Sequence, residues 1–188
     1  QVIQGDFQLS NYEETAKNFK WEDAEKDFSW YKTGKVNMAY EAIDRHAESD
    51  KKDKVALHYQ DAERKESYTF GEMKRWTDRA ANVYVNHSNL TKGDRLFIFM
   101  PRSPELYFAL LGATKMGLIV GPLFEAFMEG AVYDRLQDSE AKAIVTTPEL
   151  LDRIPMDKLP KLETVFIVGE NIEESDKFID FKKALHNA

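Results

Sequence analysis

The fold is decided by residues 93–123, which read GDRLFIFMPRSPELYFALLGATKMGLIVGPL. Residues 96–100 form a continuous apolar run, which is typical of a strand covered on both faces. The Ser-Pro-Glu sequence at 103–105 predicts a helix start, because serine caps, proline suits the first position and an acid is favourable in the first turn. Gly117 is a typical helix stop, and residues 118–123 predict a second strand. This stretch therefore encodes a strand–helix–strand unit.

The same alternation continues along the chain. Apolar patterns predict a helix over 129–139, a strand over 143–146, a short helix from Pro148 and a strand over 164–168. Residues 170–188 read as a loop and a terminal helix. Repeated strand–helix–strand units with short links predict an α/β fold, a parallel sheet with helices on both faces.

Two segments of different texture precede this unit. Residues 1–53 are aromatic and charged without a strand-like run, and they predict a mostly helical amino-terminal extension. Residues 55–59 alternate between apolar and polar side chains, as expected for a half-buried strand. Thr69 and Glu72 form a capping box at the start of a long helix. We therefore divide the chain into an extension, 1–53, and a main domain, 54–188.

Charge and composition exclude several classes of protein. The 188 residues carry 26 Lys and Arg against 33 Asp and Glu, and this net charge of −7 predicts no nucleic-acid partner. The absence of cysteine excludes disulfides, thiolate metal sites and cysteine nucleophiles. Lys115, glycines and Pro122 interrupt the most apolar stretch, 106–124, so we expect no membrane span or membrane partner. The first thirty residues contain no apolar signal core, and the expected location is the cytoplasm.

Glycine and histidine patterns predict no phosphate loop, metal site or catalytic set within the chain. None of the nine glycines belongs to a G-x-G-x-x-G or G-x-x-x-x-G-K-[ST] motif. The four histidines are scattered, without a pair at the helical spacing of metal ligands. No Gly-x-Ser-x-Gly sequence supports a serine nucleophile, although sequence alone leaves a Ser-His-Asp triad open.

Candidate binding residues lie where the predicted strands end. Open parallel sheets bind ligands beyond the carboxyl ends of their strands. Arg102 and Arg153 follow strands at this edge, and arginine suits bidentate phosphate recognition, although a salt-bridged or solvated arginine is the simpler interpretation of each. Residues 124–128, Phe-Glu-Ala-Phe-Met, place apolar side chains directly after a strand. They could line a ligand channel or contact a neighbouring domain.

Several stretches of the sequence resemble one family. The sequence WYKTGKVN at 30–37, followed by DRH at 44–46, looks like the amino-terminal signature of AMP-forming acetyl-CoA synthetases. FIFMPRSPEL at 97–106 is similar to a strand–helix junction of the same enzymes. KMGLIVGPL at 115–123 resembles a core motif of the wider adenylate-forming superfamily, and the match continues through 124–136 and 146–151. The resemblance covers nearly the whole chain.

The resemblance implies a ligase that uses ATP, Mg and coenzyme A. Such enzymes join acetate to ATP as acetyl-adenylate and release pyrophosphate, and they then form acetyl-CoA and AMP. Their phosphate loop, their acid-bearing motif and their mobile carboxy-terminal domain are missing from this sequence. The resemblance therefore implies an inactive amino-terminal fragment whose partners are small-molecule substrates and the remainder of its own polypeptide. In this reading 54–188 is the incomplete first part of the AMP-binding domain.

Two alternatives stay open at this point. One is a fragment of a propionyl- or medium-chain acyl-CoA synthetase, because the acyl pocket lies outside these residues. The other is a stand-alone α/β module that binds coenzyme A or a protein.

The resemblance also implies a peripheral binding site for coenzyme A. The stretch that matches Phe124, Glu125, Ala126 and Phe127 lies near the channel for the pantetheine arm in the relatives. Glu125 and Ala126 stand where many acetyl-CoA synthetases have Gly-Gly. Arg153 lies near arginines that meet the 3′-phosphate of coenzyme A in some relatives. The resemblance assigns no catalytic or metal-binding residue to this chain.

Overall fold

The computed structural model describes residues 11–188, which belong to two compact units that divide after Val36. The described part of the first unit holds three short helices, α1 (Tyr12–Asn18), α2 (Trp21–Glu25) and α3 (Trp30–Thr33). Gly34 ends α3 in the left-handed conformation, with φ 65°. None of the three helices contains a buried residue. The predicted helical character of the amino-terminal region is confirmed.

The second unit opens with a helical segment and a hairpin. A π-helical turn, Tyr40–Asp44, leads into α4 (Arg45–Ala47). The strands β1 (Val55–Gln60) and β2 (Lys65–Thr69) then pair antiparallel.

The long helix α5 (Phe70–His87) begins at the predicted capping box. The Thr69 hydroxyl accepts a hydrogen bond from the Glu72 amide, and the Glu72 carboxylate accepts one from the Thr69 amide. This reciprocal arrangement satisfies two donors that a helix start otherwise leaves open.

Five parallel strands form the main sheet in the order β4-β3-β5-β6-β7. Their bounds are β3 (Arg95–Phe99), β4 (Ile119–Pro122), β5 (Ala143–Thr146), β6 (Thr164–Ile167) and β7 (Phe178–Asp180). The connecting helices are α6 (Pro104–Lys115), α7 (Glu129–Asp138) and α8 (Phe181–Asn187). The predicted α/β fold is confirmed. The strand β7 lies where the sequence predicted only loop and helix, because three residues are too few to show an alternating pattern.

Apolar clusters cover both faces of this sheet. One cluster packs α5, α6 and α8 on the sheet through Tyr84, Phe108 and Phe181. The other packs α7 and the 3-10 helix Pro148–Arg153 on the opposite face through Leu136 and Leu150. Every residue of β5 and β6 is buried, as expected for parallel strands between two helical layers.

At both edges of the sheet, a backbone group that could pair with a further strand is missing or already hydrogen-bonded. The amides of Ile119 and Leu123 donate towards β3, so the alternating position Pro122 faces outward, and proline has no amide to offer. At the other edge, the Phe178 carbonyl accepts a hydrogen bond from the Ser175 amide, and the Phe178 amide donates to the Ser175 hydroxyl. Within residues 11–188 no helix is long and apolar enough to cross a membrane.

Candidate functional site

The order of the strands creates a crevice at the carboxyl edge of the sheet. The chain leaves β3 through α6 to reach β4, and it then returns through α7 to β5 on the other side of β3. Parallel sheets bind ligands at such a change of direction, beyond the carboxyl ends of the strands. The topology therefore predicts a binding site among the segments that follow β3, β4 and β5.

A cavity of about 650 Å³ lies at this edge. The segments that follow β3, β5 and β6 form its walls, including Pro101, Pro148 and Gly169. Arg64 from the hairpin and Lys182 from α8 bring positive charge to the rim. The cavity is large enough for a substrate-sized molecule.

The two cationic side chains that line the cavity are paired within the protein. Lys182 Nζ lies 2.5 Å from Glu170 Oε1, and the hydrogen bond from Lys182 lowers the pKa of that carboxyl. Arg64 lies 3.6 Å from carboxylate oxygens of both Asp61 and Glu66. Glu105 and Glu149 also line the cavity, so carboxylates outnumber cations there.

Two hydroxyl groups at the cavity are buried and have no hydrogen-bond partner among residues 11–188. They belong to Ser103, at the start of α6, and to Thr147, which follows β5. Both residues line the cavity. They can donate and accept hydrogen bonds, so they offer polar contacts to an incoming group.

The predicted channel segment forms a turn directly after β4. The Phe127 amide donates a 2.9 Å hydrogen bond to the Phe124 carbonyl, which closes the turn over Glu125 and Ala126. The rings of Phe124 and Phe127 meet edge to face, with 5.9 Å between their centroids. Phe124 is 64% exposed and Met128 is 66% exposed, so apolar side chains project from the turn. We call residues 124–128 the β4 loop.

Arg153, the other predicted site residue, contacts this loop. It ends the 3-10 helix, and its Nη1 donates to the carbonyl oxygens of Glu125 at 2.9 Å and Phe127 at 3.4 Å. The structure therefore brings Arg153 together with the loop, but it does not join Arg102 to them by a hydrogen bond. The hydrogen bonds use the carbonyl groups of the loop, which no sequence pattern reveals.

Arg135 is a member of the site that the sequence analysis missed. Its guanidinium carbon lies 4.3 Å from the centre of the Phe127 ring, a cation–π contact. No sequence pattern predicts this contact, because it depends on how α7 packs next to the loop. Arg102 is exposed, and it forms no hydrogen bond or ion pair with another group within residues 11–188.

The described residues offer no site for a metal ion. No group of three or more His, Cys, Asp or Glu within residues 11–188 lies close enough to hold one. The sequence also contains no glycine-rich phosphate loop. The residues present therefore do not fit the magnesium ion or the phosphates of ATP.

Comparisons with known proteins agree on one family. The family model described as AMP-binding enzyme matches residues 43–186. The acetyl-coenzyme A synthetase of Bacillus subtilis (strain 168) is 64% identical over 183 residues, which are 97% of this chain and 32% of that protein. The acetyl-coenzyme A synthetase of Helicobacter pylori (strain G27) is 31% identical over 163 residues, which are 79% of this chain and 24% of that protein.

A solved structure shows the same fold. The crystal structure of Brucella canis acyl-CoA synthetase superposes with a TM-score of 0.78 at 24% identity. The superposition covers 94% of this chain and 32% of that one. The chain thus spans between about a quarter and a third of the length of these three relatives.

Proposed function

Because this chain belongs to the AMP-binding enzyme family, we propose that it forms the amino-terminal part of an AMP-forming acetate–CoA ligase. The intact ligase would convert acetate, ATP and coenzyme A to acetyl-CoA, AMP and pyrophosphate through acetyl-adenylate. The observation that carries this proposal is the high identity to the Bacillus subtilis acetyl-coenzyme A synthetase along nearly the whole chain. The cytoplasm, which supplies ATP and coenzyme A, is the proposed location.

We assign the β4 loop to the path of the pantetheine arm of coenzyme A. This arm is a thin chain of methylene and amide groups that ends in the thiol, which accepts the acyl group. The exposed ring of Phe124 and the exposed side chain of Met128 fit the methylene groups of the arm. The backbone of the turn at Glu125 and Ala126 fits its amides. Arg153 belongs to the same site through its hydrogen bonds to the loop. These residues would bind and orient the arm and exclude water from it.

The chemistry of ATP is assigned to residues outside this chain. Stabilising the charge that develops during adenylate formation requires donors and metal ions that converge on the phosphates. The described residues hold no cluster of metal ligands, and the sequence contains no glycine-rich phosphate loop. We therefore propose that the 188-residue chain alone is inactive and that its partner is the remainder of its own polypeptide. Residues 1–53 are proposed as the extension and 54–188 as the first part of the AMP-binding domain.

The test of the ligase proposal uses the polypeptide encoded by the complete gene. We expect it to form AMP from ATP when both acetate and coenzyme A are present, and to release pyrophosphate with acetate alone. Propionate and hexanoate, assayed in parallel, compare the acetate enzyme with its longer-chain alternatives. A full-length protein that forms no AMP with any of these acids would contradict the proposal. Pyrophosphate release by the purified 188-residue chain would contradict the inactivity of the fragment.

A stand-alone module that binds coenzyme A is the second candidate. The observation that favours it is that the β4 loop and Arg153 lie together within these residues without help from another segment. Calorimetry of the 188-residue chain with coenzyme A measures this directly. Binding by the chain, together with an inactive full-length protein, would favour the module over the ligase.

A further inference from the structure

The guanidinium group of Arg153 faces the protein backbone. One nitrogen, Nη1, serves two carbonyl oxygens, of Glu125 at 2.9 Å and of Phe127 at 3.4 Å. We infer that Arg153 and Arg135 are positioning residues, which hold the β4 loop in a preformed shape. The relevance of this shape to coenzyme A rests on the proposed function, but the shape itself does not.

The backbone contact of Arg153 fixes the curvature of the loop. Two carbonyl groups two residues apart point to the same nitrogen, and this arrangement requires the turn at 125–126. Hydrogen bonds from a charged donor are stronger than neutral ones, so the turn is held more firmly than by the Phe127 amide alone. The cation also neutralises the repulsion between two carbonyl dipoles that point together.

Arg135 holds the same loop through a side chain. It lies over the Phe127 ring at 4.3 Å, and its own Nη1 donates to the Ala131 carbonyl at 2.8 Å, which fixes the guanidinium on α7. Phe127 in turn packs against the cluster that covers this face of the sheet. The loop is therefore anchored at its backbone by one arginine and at a ring by the other.

The two anchors explain why apolar groups project from the loop. An unanchored loop with Phe124 and Met128 would reduce its exposed apolar area by folding onto the surface. Here Phe124 remains 64% exposed and meets Phe127 at right angles. The anchors thus keep an apolar tip presented before any ligand arrives, which lowers the ordering cost of binding.

We call the contacts of Arg153 and Arg135 with the β4 loop the clamp. Hydrogen exchange in the 188-residue chain tests the clamp without any ligand. The readout is the exchange rate of the Phe127 amide, measured by NMR, with the buried β5 amides as an internal reference for global stability. We expect Arg153→Met to speed exchange at Phe127 by about tenfold or more, because the turn then opens locally. Arg102→Met is the matched control, since it removes the same charge at the same sheet edge from a side chain that forms no hydrogen bond with the loop. Its Phe127 rate should equal that of the wild type.

Two further variants keep the test decisive. Arg153→Lys retains a charged donor and should return the Phe127 rate towards the wild-type value, whereas a role in bulk packing would be served equally well by methionine. Arg135→Met should speed exchange at Phe127 while the β5 reference amides stay unchanged. Wild-type exchange at Phe127 in both methionine variants would overturn the clamp.

Titration with coenzyme A separates the clamp from the proposed function. Loss of coenzyme A binding in Arg153→Met with an unchanged Phe127 rate would make Arg153 a direct ligand and overturn the clamp. Faster Phe127 exchange in Arg153→Met would support the clamp. If the wild-type loop amides also show no response to coenzyme A, in the chain or in the full-length protein, the loop does not belong to the proposed pantetheine path.

Discussion

Lys115 connects three parts of the second unit through its charge. Its Nζ donates a hydrogen bond to Asp78 Oδ1 at 2.5 Å. It also forms an ion pair with Asp44 Oδ1 at 2.7 Å, but the geometry of that pair is not that of a hydrogen bond. The side chain is only 10% exposed. Asp44 belongs to the π-helical turn, Asp78 to α5 and Lys115 to α6, so a single ammonium group joins three helical segments.

Replacing Lys115 should destabilise the chain strongly. In Lys115→Met the largely buried Asp44 carboxylate loses its ion-pair partner, and breaking a buried pair in this way costs about 3 kcal/mol of the free energy of unfolding. Urea denaturation followed by circular dichroism measures the loss. Lys26→Met removes an exposed i,i+3 pair and should cause no measurable change. Equal stability of Lys115→Met and the wild type would show that the three-way pairing contributes nothing.

The hairpin carboxyl Asp61 should titrate far below other aspartates. The hydrogen bond from the Tyr59 hydroxyl, at 2.6 Å, and those from the Arg64 and Glu63 amides lower the pKa of Asp61 from 3.8 to about 2. Because the folded-state pKa is depressed, the stabilisation is present above pH 3.8 and is lost as the pH falls towards 2. We expect Tyr59→Phe to raise the pKa of Asp61 towards 3.8, measured by NMR titration of the carboxyl carbon. A pKa of about 2 in the variant would exclude the tyrosine as the main cause.

Two glycines within helices differ in what surrounds them. A Cβ on Gly112 of α6 would lie 2.5 Å from the Ala80 Cβ of α5 and 3.0 Å from the Thr77 carbonyl oxygen. A Cβ on Gly130 of α7 would meet nothing within 4 Å. The close contact between α5 and α6 therefore depends on Gly112, whereas α7 does not depend on Gly130.

Alanine substitutions should have opposite signs at these positions. Gly112→Ala should reduce the free energy of unfolding by about 1–3 kcal/mol, because the helices must separate. Gly130→Ala should increase it by about 0.5 kcal/mol, because alanine favours the helix and finds open space. Thermal and urea denaturation of both variants measure the difference. A stabilising Gly112→Ala would mean that α5 and α6 do not approach as closely as described.

Local sequence signals explain which elements were predicted and which were not. The capping box at Thr69 and the helix start at 103–105 depend only on neighbouring residues, and both helices begin where the sequence placed them. The Ser103 side chain, which the sequence predicted as a cap, makes no capping hydrogen bond. The strand β7 escaped prediction because its pairing with β6, rather than its three residues, defines it. The same limit applies to the site. Residues 124–128 and Arg153 were found from their positions after predicted strands and from motif resemblance, whereas Arg135 over Phe127 arises only from the packing of α7.

For the molecule as a whole, the two units should differ in resistance to proteolysis. The helices of the first unit bury no residue, and helices without burial open easily. We expect brief trypsin treatment to cut first in this unit and to leave 37–188 intact, measured by mass spectrometry. The exposed lysines available there are Lys17, Lys20, Lys26, Lys32 and Lys35. Initial cleavage in the hairpin turn at 61–65 would contradict this order.

The outward-facing proline of β4 also affects how the protein behaves in concentrated solution. A sheet edge with free amide groups can recruit strands from other molecules, and repeated recruitment produces fibres. Pro122 presents no amide at one edge, and Ser175 already occupies both backbone groups of Phe178 at the other. Each arrangement removes backbone groups that an incoming strand would need, so both edges offer fewer sites for intermolecular sheet growth.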